Sequence, residues 1–160
     1  MESRWNPGLH PGRTACCNAA MTDRSRTRVL VVLAAVIVLM TAYWICWYAD
    51  RSLVASNTRP AYYEFENAFP LADGWITLAC LAAIVSLRRR SGTAVLWLLL
   101  AGGAGGYLFC MDSLYDVEHG IWWRSGAGGV IELVINIATV SVSTALVSWT
   151  WRHRGALSET

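Results

Sequence analysis

Residues 93–119, TAVLWLLLAGGAGGYLFCMDSLYDVEH, are apolar from Ala94 to Met111 apart from the weakly polar Trp97 and Tyr107, and they finish in Asp112, Asp116, Glu118 and His119. About 20 apolar residues in succession are enough to cross a bilayer as a helix. Gly102 and Gly106 form a Gly-x-x-x-Gly pair inside that run, with Gly103 and Gly105 between them. This spacing predicts a helix whose backbone another helix can approach closely. The acids that follow mark one mouth of the resulting bundle.

Three further apolar blocks flank this one, and together they predict an all-α fold: an integral membrane four-helix bundle, antiparallel, with spans at about 29–48, 70–87, 93–112 and 130–149. The chain has 160 residues, 55% hydrophobic and 15% charged, with a mean hydropathy of +0.38. Soluble domains carry nearer one quarter charged residues. Residues 1–28 read as a polar cytoplasmic tail, 29–151 as the membrane domain and 152–160 as a second cytoplasmic tail. The first apolar block follows a basic stretch, as in a secretory signal, but it is long and lacks a convincing small-residue cleavage site, so a retained span is expected. Pro70 suits the opening of the second span, since proline is tolerated at the first helical position.

Arginine placement sets the expected orientation. All 13 basic residues are arginine. With both termini cytoplasmic, five lie in the first tail, three in the turn Arg88, Arg89 and Arg90, and two in the last tail, against Arg51, Arg59 and Arg124 outside. That is the positive-inside pattern, and it gathers Asp50, Glu64, Glu66, Asp73, Asp112, Asp116 and Glu118 on or near the outer side of a cell membrane. The net charge of +2 is spread over tails and turns and leaves no nucleic-acid footprint.

Two constellations carry candidate chemistry. If the third helix continues past its apolar part, Asp112, Asp116 and His119 share a face at spacings of four and seven. With Asp73 from the second span they make a candidate divalent-cation site, because carboxylates suit a hard cation and an imidazole adds a nitrogen ligand or an acid–base group. The alternative is an ordinary charged helix end. Glu132 lies about one turn inside the fourth span, and Asn136, Thr139 and Ser143 continue its face. A carboxylate there is costly unless it faces protein, water or a cation, so Glu132 and Asn136 read as an ion or proton pathway, or else as a polar seam joining helices.

The five cysteines show no disulfide or zinc spacing, and Cys16, Cys17 and His10 in the tail make only a weak metal set. Phosphate loops, serine elbows and H-E-x-x-H zinc motifs are absent. Three functions fit the remaining pattern. The first is an oligomeric transport or permeation component for a cation or small solute. The others are a noncatalytic accessory subunit of a membrane complex, and a membrane enzyme acting on a lipid-like substrate at the acidic mouth. The expected partners are membrane lipids and either further copies of the chain or a larger complex.

Overall fold

The computed structural model describes residues 22–123 and 127–158. The tail up to residue 21, with His10, Cys16 and Cys17, lies outside the described residues, as do Arg124 and Glu159. Among the described residues every regular element is helical: α1 (Asp23–Ala49), α2 (Pro60–Glu66), α3 (Pro70–Arg88), α4 (Ala94–His119) and α5 (Ala127–Ser158), with single 3-10 turns at Arg51–Leu53 and Ile121–Trp123.

The helix ends follow from local chemistry. Thr22 caps α1 by accepting the Ser25 N–H at 3.2 Å, which satisfies a donor that the first turn leaves free. This cap starts the helix six residues before the apolar block. Helix α4 ends at Gly120, whose φ of 64° puts it in the left-handed region that favours glycine. The end of α3 uses the same geometry without glycine. There Arg90 sits at φ 54°, and the Ser91 N–H closes onto the Ser86 carbonyl at 2.9 Å. A left-handed conformation costs a residue with a Cβ about 1–2 kcal/mol.

Four helical stretches, Asp23–Ala49, Pro60–Arg88, Ala94–His119 and Ala127–Ser158, are long and apolar enough to cross a membrane. The protein is a multi-pass membrane protein. Large apolar side chains such as Val38, Leu39, Leu71, Leu78 and Ile137 stand exposed along these helices, an arrangement that suits lipid and would be a liability in water.

Helix α1 packs on α3, α3 on α4, and α4 on α5. The core is built mainly from α3 and α4, with Ile76, Ala79, Ala83, Leu87, Leu98 and Ala101, and it takes in Leu33 from α1 and Leu146 from α5. Lipid tails are as apolar as leucine, so close packing has to hold such helices together. Helices α4 and α5 approach each other closely at two glycines. A Cβ at Gly102 would stand 2.7 Å from Val147 Cγ2, and one at Gly105 would stand 2.5 Å from Ser143 Oγ. A Cβ at Gly106 would meet nothing within 4 Å, so the intimate pair is Gly102 and Gly105.

The two ends of the bundle differ. At one end the Trp149 indole donates to Ser25 Oγ at 2.7 Å, and the backbone of Ser158 lies 3.6 Å from a Cβ built on Gly92. This end carries the arginines of α1, of the α3–α4 turn and of late α5. At the other end the segment from Asp50 to Phe69, which includes the short helix α2, folds across the bundle and carries aromatic rings and acids.

Candidate functional site

Helix α5 directs Gly129, Glu132, Asn136, Ser143, Leu146 and Thr150 inward. These positions recur at three, four or seven residues and so form one helical stripe. Its first polar member, Glu132, is 7% exposed. Tyr62 donates its hydroxyl to Glu132 Oε1 at 3.1 Å, and Ser56 donates to the same oxygen. Both donors come from the segment that crosses the acidic end. Asn136 lies one turn further along, donating to Asp116 Oδ2 at 2.9 Å and accepting from Ser113 at 3.3 Å. The Trp122 indole adds a second donor to Asp116 Oδ2 at 2.8 Å, and Asp116 is 1% exposed.

A matching set of contacts joins α1 to α2 and α3. The Tyr43 hydroxyl donates to Glu66 at 2.9 Å, the Trp44 indole to Asp73 at 2.9 Å, and the Trp47 indole to Asn67 at 3.1 Å. Tyr43, Trp44 and Trp47 follow one face of α1 at helical spacing, and their ring contacts help fix the donors.

Between these two sets lies a cavity of about 500 Å³ with walls from all four long helices. Glu66, Asp73, Asp112, Glu132 and Asn136 line its acidic end, and Val36, Met40, Ile76, Val142 and Leu146 are among the side chains that line its apolar body. Such a volume suits a small organic ligand.

The sequence-predicted residues fall as follows. Asp112 and Asp116 come together, joined by Glu132, with one ligand oxygen from each lying within 4.8 Å of the others. Asp73 and His119 stand outside that group. Asp73 reaches the same cavity, while His119 is exposed, engages the Tyr115 carbonyl through Nδ1 at 2.9 Å and stacks on the Tyr115 ring at 4.0 Å. Glu132 and Asn136 share the inward stripe. The sequence reading did not identify Ser56, Tyr62 and Trp122 as partners of Glu132 and Asp116, or Tyr43 and Trp44 as partners of Glu66 and Asp73. The aromatic and acidic residues interleaved through 60–69 were the available signal.

Every donor described above to these carboxylates is neutral: tyrosine, tryptophan, serine or asparagine. Two like unit charges 4 Å apart repel by about 4 kcal/mol at an effective dielectric of 20. A carboxylate cluster whose donors among the described residues are neutral therefore gains when a proton or another positive group joins it. Outside the spans, the Ser52 N–H and hydroxyl both donate to Asp50 Oδ1, at 2.9 and 2.6 Å. Those bonds hold the Asp50 carboxyl below its ordinary range, and this exposed acid is not among the residues lining the cavity.

No protein-family model, curated protein or solved structure matches the chain, which leaves the chemistry of the cavity itself as the guide to function.

Proposed function

We propose that the protein binds an amphiphilic cation in its intramembrane cavity, with the charged head among Glu66, Asp73, Asp112 and Glu132 and the apolar body between α1 and α5. The observation that carries this reading is the make-up of one cavity, with carboxylates at one end and aliphatic side chains along the rest. An ammonium or similar head relieves the carboxylates, and the apolar body replaces lipid against Val36, Met40 and Leu146. In this reading the bundle is antiparallel in the cell membrane, with both termini cytoplasmic and the acidic end outward, as the arginine distribution favours.

Transport of a hydrated ion through a single chain is less well supported. Beyond Ser143 the helices meet through Leu33, Ala79, Ala83, Leu98 and Leu146, and a permeating ion needs polar groups along its whole route. Handing an amphiphile between the bilayer and the cavity needs no such route. A second reading, a hard divalent cation on Asp112, Asp116 and Glu132, is favoured by their mutual 4.8 Å spacing. Oxygens bound to calcium at 2.3–2.6 Å can stand up to about 5 Å apart.

The test uses the full chain in neutral-lipid nanodiscs, titrated with dodecyltrimethylammonium or with dodecanol while intrinsic tryptophan fluorescence is read. Saturable binding of the cation alone is expected, weakened about tenfold or more in Glu132→Gln and Asp112→Asn, as for loss of one close attraction between opposite charges. Equal binding of dodecanol, or unchanged affinity in both variants, overturns the reading.

A further inference from the structure

At the end of the bundle away from the carboxylates, we propose that Arg88, Arg89 and Arg90 form a binding site for the phosphate of an anionic phospholipid. All three are exposed and consecutive. The turn that carries them is backed by α5, since a Cβ at Gly92 would lie 3.6 Å from both Cα and O of Ser158 and 3.8 Å from the Leu157 carbonyl. The same end presents exposed Arg24 and Arg28 from α1 and Arg152 from α5. Ser25 and Trp149 hold α1 and α5 together there. Asp23 is the one acid at this end among the described residues. Trp151 is 58% exposed with the Arg154 guanidinium 4.1 Å above its ring. An amphipathic ring of this kind belongs at headgroup depth, and Arg152 and Arg154 flank it in sequence.

Orientation in the membrane does not by itself explain this arrangement. The positive-inside bias needs charge on the right side and is indifferent to backbone conformation. Yet Arg90 occupies a left-handed position at φ 54°, where glycine sits without strain. Arginine at that point gives the turn a third exposed guanidinium where glycine would give none. Guanidinium groups meet phosphate oxygens in a bidentate fork that a point charge does not provide. A basic cluster just cytoplasmic of a span is also the pattern that recruits anionic lipid. The site lies at the opposite end from the cavity carboxylates and is independent of what the cavity binds.

The discriminating variant is Arg90→Gly, which removes the guanidinium and the backbone strain together. The full chain is placed in nanodiscs of phosphatidylcholine, alone or doped with phosphatidylglycerol, and two quantities are measured: lipid retained on extraction, by native mass spectrometry, and melting temperature. The native chain should retain phosphatidylglycerol preferentially and melt higher when it is present. Arg90→Gly should melt at the same temperature or higher in phosphatidylcholine, yet retain phosphatidylglycerol about tenfold less well, as expected for one lost charge-assisted contact. Unchanged phosphatidylglycerol retention in Arg90→Gly, or equal retention of both lipids by the native chain, overturns the proposal. Inorganic phosphate raising the melting temperature in phosphatidylcholine as far as phosphatidylglycerol does would instead mark a soluble-anion site and overturn the lipid assignment.

Discussion

The hydroxyl of Ser56 donates to Oε1 of Glu132 across 76 positions of the chain, and this contact ties the segment after the first span to the start of the last. Tyr62 makes the second bond to the same oxygen. The crossing segment thus both covers the acidic end and orients a carboxylate that lines the cavity.

Removing one of these donors should loosen the cover while leaving the four spans in place. Tyr62 is 1% exposed, so Tyr62→Phe keeps the ring packing while it deletes the bond donated to a buried acid and the one accepted from the Ser56 N–H at 3.3 Å. A loss of about 1–3 kcal/mol in unfolding free energy is expected, read from thermal or denaturant melts in a fixed detergent. In the Glu132→Gln background the same change should cost less, because the charged acceptor is gone. Equal losses in both backgrounds would show that the Tyr62 hydroxyl acts through the Ser56 N–H it accepts rather than through Glu132.

The glycines of α4 should separate by face. Gly102→Ala places a methyl 2.7 Å from Val147 Cγ2 and 3.2 Å from the Ser143 carbonyl, and overpacking of that kind costs about 1–3 kcal/mol. Gly106→Ala meets open space and should be neutral or stabilising by up to about 1 kcal/mol through helix propensity. Melting temperatures of the two purified variants check this, and an equal loss in both would contradict the α4–α5 contact described above.

The spans were legible because bilayer crossing imposes long apolar blocks, which survive errors of several residues at their ends. The inward stripe of Glu132, Asn136 and Ser143 was legible for a similar reason, since spacings of three, four and seven fix a face without any knowledge of neighbours. Which face meets which helix was not legible. Gly102 and Gly106 lie one turn apart, yet a modest rotation of α4 brings Gly105 rather than Gly106 against Ser143. His119 is the last residue of α4, and its ring turns back onto Tyr115. Asp116 is buried there and His119 is exposed. Ser56, Tyr62 and Trp122 reach the carboxylates from outside the four spans, and no periodicity within a span announces such contacts. Helix α5 also runs to Ser158, well past its apolar block, where Leu157 is buried.

A divalent cation on Asp112, Asp116 and Glu132 should raise the melting temperature of the purified protein in calcium, and a chelator should reverse the rise. Asp112→Asn, Asp116→Asn and Glu132→Gln should each reduce it, whereas His119→Ala should leave it unchanged, since that imidazole is turned to the Tyr115 carbonyl. Acidification should weaken the effect because protons compete for the same oxygens. A calcium response that survives all three carboxylate variants would remove the ion from this group.

Orientation can be read by labelling after the native cysteines are replaced. Thr58→Cys lies in the crossing segment and Ser158→Cys at the end of α5, and both positions are exposed. A membrane-impermeant maleimide applied to intact cells should label the first and spare the second. Outside labelling of Ser158→Cys would reverse the proposed topology.

The most direct test of the cavity as a cation-binding site is photolabelling in neutral nanodiscs with a long-chain alkylamine that carries a diazirine midway along its tail. Adducts mapped by peptide mass spectrometry should concentrate on the cavity walls of α1 and α5, at Val36, Met40, Val142 and Leu146. They should be displaced by unlabelled dodecyltrimethylammonium and fall sharply in Glu132→Gln. Adducts spread instead over lipid-facing positions such as Leu78, Val85 and Leu96, undiminished by competitor or by Glu132→Gln, would contradict the account.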